Sequence, residues 1–246
     1  MHAGRVAKSL VWAGTAVAIA CVAAALVSGP GYQAGLWEYR MGFVILRWSV
    51  YIAAGAGVVA LAGAAAAARA GRSVLAAGGI AGALIALVLI VPSWNLQRTA
   101  SEVPPIHDIT TDTDNPPQFV ALLATRRKAP NGADYGGEKV ARQQKAAYPD
   151  IQPVVLDEPP ARAFERALGA ARSLGWEIVD AVPAEGRIEA TDTTRWFRFK
   201  DDIVLRVTAN GTGSRVDVRS MSRLGRGDVG TNAKRVRAFL NTLRTR

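Results

Sequence analysis

Three membrane-crossing helices followed by an α+β domain, an antiparallel sheet of about four strands with helices on one face, is the architecture that this 246-residue sequence predicts. Three observations point to it. Long uncharged runs fill most of residues 1–92, alternating apolar runs divided by turn residues occupy the last third, and two amphipathic helical patterns flank those strands. The charge distribution marks the same division. Residues 1–92 hold six Lys/Arg and a single acid, Glu38, and the remainder holds 24 basic and 19 acidic residues. Each part therefore carries a net +5, but only the second has the composition of a solvated surface.

The uncharged runs cover about residues 10–27, 48–68 and 74–91. Crossing a bilayer takes roughly 20 residues of helix. Three such runs in 92 residues leave no polar face for a soluble helical core to solvate. Trp37, Tyr39, Trp48, Tyr51 and Trp94 cluster near the run ends, where aromatic rings sit at headgroup level. Arg47 is expected to reach for the interface from the edge of the second helix, rather than to mark an ion path. Only Arg69-Ala-Gly-Arg72 joins the second and third helices, which predicts a tight antiparallel hairpin. Ala56, Ala60, Ala64 and Gly78, Gly82, Ala86 recur at four-residue steps that let two backbones approach closely.

Four cations near the run ends (Arg5, Lys8, Arg69, Arg72) lie on one side and three (Arg40, Arg47, Arg98) on the other. The positive-inside rule then favours a cytoplasmic N-terminus and an outward-facing C-terminal domain, by a narrow margin. The first run has an alternative reading as a signal peptide ending near "AALVSGPG", which leaves the domain on the same side.

Residues 93–159 read as a linker with short helices. "NLQRTASEVPPIHDITTDTDNPPQF" shows no period and is expected to be extended. A short helix is expected in "PQFVALLATRR", another in "EKVARQQKAAY", and an extended piece in "PVVLDEPP". The α+β domain proper is placed at 160–246. Phe164, Ala167, Leu168, Ala171 and Leu174 define an amphipathic helix closed by Gly175. "WEIVDAV" and "GRIEATDTT" follow as strands around "PAEG", and "NGTG" turns "DIVLRVTA" into "SRVDVRSM". In this last pair Ile203, Leu205 and Val207 share a face, as do Val216 and Val218, while Arg206, Asp217 and Arg219 point the other way. A final helix offers Val236, Phe239, Leu240 and Leu243 to the core.

"PPIHDITTDTDNPPQF", "QQKAAYPDIQP", "GRIEAT", "FKDDIVLRV" and "SRVDVRSMSRLGRGDVGTNAKRVRAFL" resemble the bacterial family called domain of unknown function 1499 (DUF1499), over roughly residues 104–243. The resemblance implies N-terminal membrane helices, which many members carry, and no assigned reaction. Many members begin with an Asn-Cys-Val-Ser type motif. This chain has "IHDITTD" there instead, which removes any thiol role.

Gly225, Gly227 and Gly230 have the G-x-G-x-x-G spacing of a dinucleotide-binding turn. That fingerprint requires a further strand and an acid roughly 20 residues on. The sequence ends 16 residues after Gly230 and has no acid after Asp228. A Lys-Ser/Thr pair is also missing, which removes a Walker loop. Two readings remain. Asp228 or Thr231 caps the last helix and the glycines allow the turn, which is the favoured reading. Alternatively Ser222, Arg223, Arg226, Gly227 and Thr231 bind an anion at the helix start.

His107, Asp108, Asp112 and Asp114 qualify by type as metal ligands, although their spacing matches no calcium loop and an acidic linker gives the same letters. Lys200-Asp201-Asp202 reads as a solvated turn, since adjacent strand residues face opposite ways. Cys21 lies in an apolar run, and His107 is the only histidine outside the N-terminus, so no nucleophile–histidine set assembles. The last helix carries Lys234, Arg235, Arg237 and Arg244, expected as a solvated face. Absent aromatic interleaving argues against single-stranded nucleic acid. No cofactor is predicted.

The sequence thus points to a membrane-anchored envelope protein of the inner membrane, its soluble domain periplasmic and acting in binding or scaffolding. The expected partners are the bilayer and an envelope protein or anionic lipid. Two alternatives stand beside it: a hydrolase-like enzyme using His107 and Asp108 with the Arg223–Asp228 turn, and an anionic-lipid binder acting through the basic last helix.

Overall fold

The computed structural model describes residues 2–245, with side chains from residue 4. The chain forms two compact units, the first of residues up to 98 with Trp196–Arg198, the second of the remainder.

The first unit contains α1 (His2–Gln33), α2 (Tyr39–Arg69) and the greater part of α3 (Ser73–Glu102). All three are long and apolar enough to cross a membrane. Small residues make their contacts. A Cβ on Gly14 of α1 would meet the Ala56 carbonyl oxygen of α2 at 2.7 Å, and one on Gly79 of α3 would meet that of Ala60 at 2.6 Å. These backbones therefore touch where a side chain would hold them apart. Trp196–Arg198 group with this unit, with Phe197 packed 4.8 Å from the Phe43 ring.

α3 departs from the expected extended linker by continuing through residues 95–102. "LQRTASE" contains no helix breaker, and the helix stops just before Pro104-Pro105, where the missing N–H groups and the ring clash end it.

The second unit is built on one antiparallel sheet. Its strands are β1 (Asp108–Thr110), β2 (Val154–Leu156), β3 (Glu177–Val182), β4 (Arg187–Thr193), β5 (Lys200–Asn210) and β6 (Gly213–Ser222). The order is β1-β6-β5-β4-β3, and β2 lies end to end with β1 along the same edge of β6. The sheet thus has six strands where about four were expected. The two extra strands come from the segment read as linker. They are only three residues long, too short for alternation to show in sequence.

Four helices accompany the sheet: α4 (Leu123–Lys128), α5 (Gly137–Ala147), α6 (Pro160–Ser173) and α7 (Thr231–Thr245). Alternation along the strands sends Ile188, Ile203, Leu205, Val207, Val216 and Val218 to one face, where they form a buried core with Phe164 and Leu168 of α6 and Phe239 and Leu243 of α7. The opposite face carries Glu189, Asp202, Arg206, Asp217 and Arg219, and residues 111–135 cover it. On this side Phe119 and Leu122 form a small second cluster with Val204 and Met221.

Asp201 and Asp202 overturn the solvated-turn reading. Both are buried within β5 and face opposite sides, Asp201 toward Arg235 of α7 and Asp202 toward Arg126 of α4. Nor is α7 evenly solvated along its basic residues. Arg235 is buried between Asp192 and Asp201, and Arg237 pairs with Asp150 over the Tyr148 ring.

Candidate functional site

The glycine-rich turn owes its composition to backbone geometry. Gly225 and Gly230 lie at φ +97° and +77°, the left-handed region that glycine enters without cost. The turn leads into α7, whose first free amides already hold an anion from within the chain. The Asp228 carboxylate accepts the N–H of Gly230 at 2.8 Å and that of Asn232 at 2.6 Å, and its carbonyl accepts the N–H of Thr231. Burial pushes the Asp228 pKa up, with a further contribution from Asp201, against the two amides that favour its charge.

The anion-site candidates disperse around this turn. Arg223 is clamped on Asp202, its Nε donating at 2.9 Å and its Nη2 at 2.7 Å. The Ser222 hydroxyl accepts the Asn232 side-chain amide at 2.9 Å. Arg226 and Gly227 are exposed, and Thr231 is half-buried at the start of α7. An external anion at this helix start would therefore compete with Asp228.

His107 does meet the turn, its Nδ1 lying 3.3 Å from the Arg226 carbonyl. Asp108, the first residue of β1, leaves in the opposite direction, because consecutive residues of an extended chain face opposite ways. It forms a two-pronged pair with Arg219, Nε to Oδ1 at 3.0 Å and Nη2 to Oδ2 at 2.8 Å, with both side chains buried. The guanidinium also donates to the carbonyls of Pro117 and Ala133 and lies over the Phe119 and Tyr135 rings. Among the described residues no three His, Cys, Asp or Glu side chains gather to hold a metal ion.

Two further buried polar devices fix the segment that covers this face. Glu189 accepts the N–H groups of Val120 and Ala121 on one oxygen and that of Leu122 on the other, while Arg187 donates to it from the side. Arg126 donates to Asp202 and to the carbonyls of Gly132, Met221 and Ser222, and it too lies over the Phe119 ring. Both act as cross-links between loop and sheet. A partner for each of their polar side-chain atoms is what makes such burial tolerable.

The remaining candidates, Asp112 and Asp114, line a polar cleft of about 380 Å³ at the edge of the domain. Residues 111–114 form one wall, Gln144, Lys145 and Tyr148 of α5 and its C-terminal end a second, and Ile151–Pro153 with Arg215 of β6 the rest. Gln144 holds α5 to the sheet: its side-chain amide gives and takes a hydrogen bond with the Thr110 backbone, at 2.6 and 3.0 Å, satisfying the open edge of β1. Asp112 Oδ2 accepts Arg206 and Arg215, both at 2.9 Å, and its Oδ1 accepts the N–H groups of Asp114 and Asn115. Burial opposes the Asp112 charge. The Asn115 amide, Arg215, Arg206 and the Asp114 amide together outweigh it and hold the carboxyl below its usual range. Lys145 reaches Asp114 at 3.2 Å across the mouth, where both are largely exposed. The cleft thus presents cations, carboxylates and amides side by side on a rigid floor.

Sequence reasoning missed Arg126, Gln144, Glu189 and the role of Arg219. One signal was available: three charged residues at alternate positions of β6, Arg215, Asp217 and Arg219, where an exposed sheet face would show mixed polar side chains. Residues 108–243 match the sequence model of the family described as "Protein of unknown function (DUF1499)". No curated protein matches the chain.

Proposed function

The chain belongs to the DUF1499 family, and from that premise we propose that it is a membrane-anchored envelope protein whose α+β domain binds a polar partner segment in the cleft beside Asp112. The cleft itself is the observation that carries this reading. It has the volume of a ligand site, roughly 300–1,000 Å³, and its floor is pre-organised by Arg206, Arg215 and Asp112. Lys145, Thr113 and Gln152 line it with donors and acceptors of both signs, which suits hydrogen bonding to a partner more than chemical attack on it.

Anchoring is through α1, α2 and α3 in the plasma (inner) membrane. An odd number of crossings puts the domain opposite the N-terminus, and the four cations at the α1-start end favour a cytoplasmic N-terminus. Washing membranes with alkaline carbonate should leave the protein in the pellet; release into the supernatant would defeat the anchor. A Gln152→Cys variant should react with an impermeant maleimide in intact cells, and protection would reverse the topology.

Binding is tested by photo-cross-linking in intact cells with benzoylphenylalanine placed at Thr113, Lys145 or Gln152, and at Arg172 on α6 as reference. The cleft positions should yield one shared adduct that the Arg172 position lacks. Adducts of equal yield at all four positions, or none at any, would refute the cleft reading.

A further inference from the structure

We infer that the three-helix unit holds one anionic phospholipid in a groove between α1 and α3, with its phosphate between Lys8 and Arg72. The inference rests on the membrane insertion proposed above, and is independent of the cleft and of which side the domain faces.

The groove has a volume of about 780 Å³ and opens beside the α2–α3 turn. Its walls are apolar: Val11 and Trp12 on α1, Val74, Leu75 and Gly78 on α3. Gly78 leaves it deep, since a Cβ there would meet only Val11 Cγ1, at 3.7 Å. In a bilayer such a groove is filled by an acyl chain, and the rim then decides which lipid is retained. That rim is cationic. Lys8 and Arg72 line the mouth, with Ser73 beginning α3 between them and the groove wall. Arg72 gives one N–H to the Gly4 carbonyl at 3.1 Å, a bond that keeps its side chain across the mouth, and among the described residues no carboxylate pairs with its charge. Arg5 and Arg69 add charge at the same end, and the sole acid of residues 1–92, Glu38, precedes α2 at the other. Basic pockets between membrane helices select anionic headgroups for this reason.

The test is native mass spectrometry of the full chain in a neutral detergent, titrated with dioleoyl phosphatidylglycerol or dioleoyl phosphatidylcholine. A single phosphatidylglycerol adduct should form about twenty-five-fold more tightly than the phosphatidylcholine one, the product of about fivefold for each cation. Lys8→Gln with Arg72→Gln should abolish the preference, whereas Lys8→Arg with Arg72→Lys should retain it. Gly78→Leu should remove the tight adduct by filling the groove. Arg47→Gln, near the opposite end of the bundle, should change nothing. Equal binding of the two lipids, a preference that survives the Gln pair, or the same loss in Arg47→Gln would each overturn the proposal. A chain that needs no detergent to stay in solution would instead overturn the membrane reading beneath it.

Discussion

The two faces of the sheet are both buried, yet they are held in different ways. On the helix side Ile203, Leu205, Val216 and Val218 meet α6 and α7 through shape and apolar area, and the Asp201–Arg235 pair is the buried ion pair between this face and α7. On the loop side Arg219, Asp108, Arg126, Asp202 and Glu189 are as deeply buried, and each is matched by charge or backbone polar groups. Helices satisfy their own backbone hydrogen bonds and so can offer a purely apolar surface. A segment such as 111–135, irregular except for the short α4, cannot do so along most of its length, and those N–H and C=O groups must be met by the side chains of whatever it covers. A covering loop therefore calls for a charged sheet face beneath it.

The sharpest way to break this comparison is Arg219→Ala. It strands Asp108 in the interior and should cost about 3–5 kcal/mol, as loss of one partner of a buried pair does. Hydrogen exchange at the β5 and β6 amides of the full-length protein in detergent reads the change. If the loss arises from the stranded charge, Asp108→Leu combined with Arg219→Met should recover most of it. If it arises from lost packing, the pair will be no better than Arg219→Ala.

On the apolar face Leu205→Ala should cost about 2–5 kcal/mol by the same measurement, through transfer and cavity terms. Here no compensating polar change should rescue the variant, which distinguishes the two faces. Glu189→Gln comes next, at about 1–3 kcal/mol, because the new amide turns an N–H donor toward one of the backbone N–H groups it should accept. Its effect should appear as faster exchange at residues 120–122, ahead of any change in the helix-side core.

The smallest effect at neutral pH is expected from Asp112→Asn, and it is best read as a pH dependence. The folded-state pKa of Asp112 is lowered. Its contribution is therefore present above the unfolded value of about 3.9 and is lost as the pH falls through the folded value. The wild type should lose protection in residues 111–115 on acidification below about pH 4, and the variant should show a flatter profile, already lower at pH 7. Equal slopes would remove Asp112 from the account of the cleft floor.

Which features were legible follows from their length and period. The three long apolar helices, α6, α7 and the β3–β6 meander all show in sequence, because each repeats its signal over several residues or turns. β2 showed only as an extended piece in "PVVLDEPP" and β1 only as part of an extended linker; that they are strands did not show, because each is three residues long and defined by β6 beside it. The end of α3 at Glu102 was obscured by a polar composition that reads as linker. In the candidate site, residues 107–114 and 222–231 stood out by letter, but their groupings misled: adjacent His107 and Asp108 part at β1, and Asp108 meets a residue 111 positions away.

The sequence by itself determined that apolar helices precede a sheet domain, because hydrophobic periodicity is a local property that any stretch of chain carries with it. Only the tertiary structure decided which charges are buried and whom they face. Ion pairs such as Asp108–Arg219, the Glu189 carboxylate on three loop amides, and the cleft at Asp112 are long-range matches between segments. Their energy depends on desolvation and distance, neither of which exists until the loop lies on the sheet.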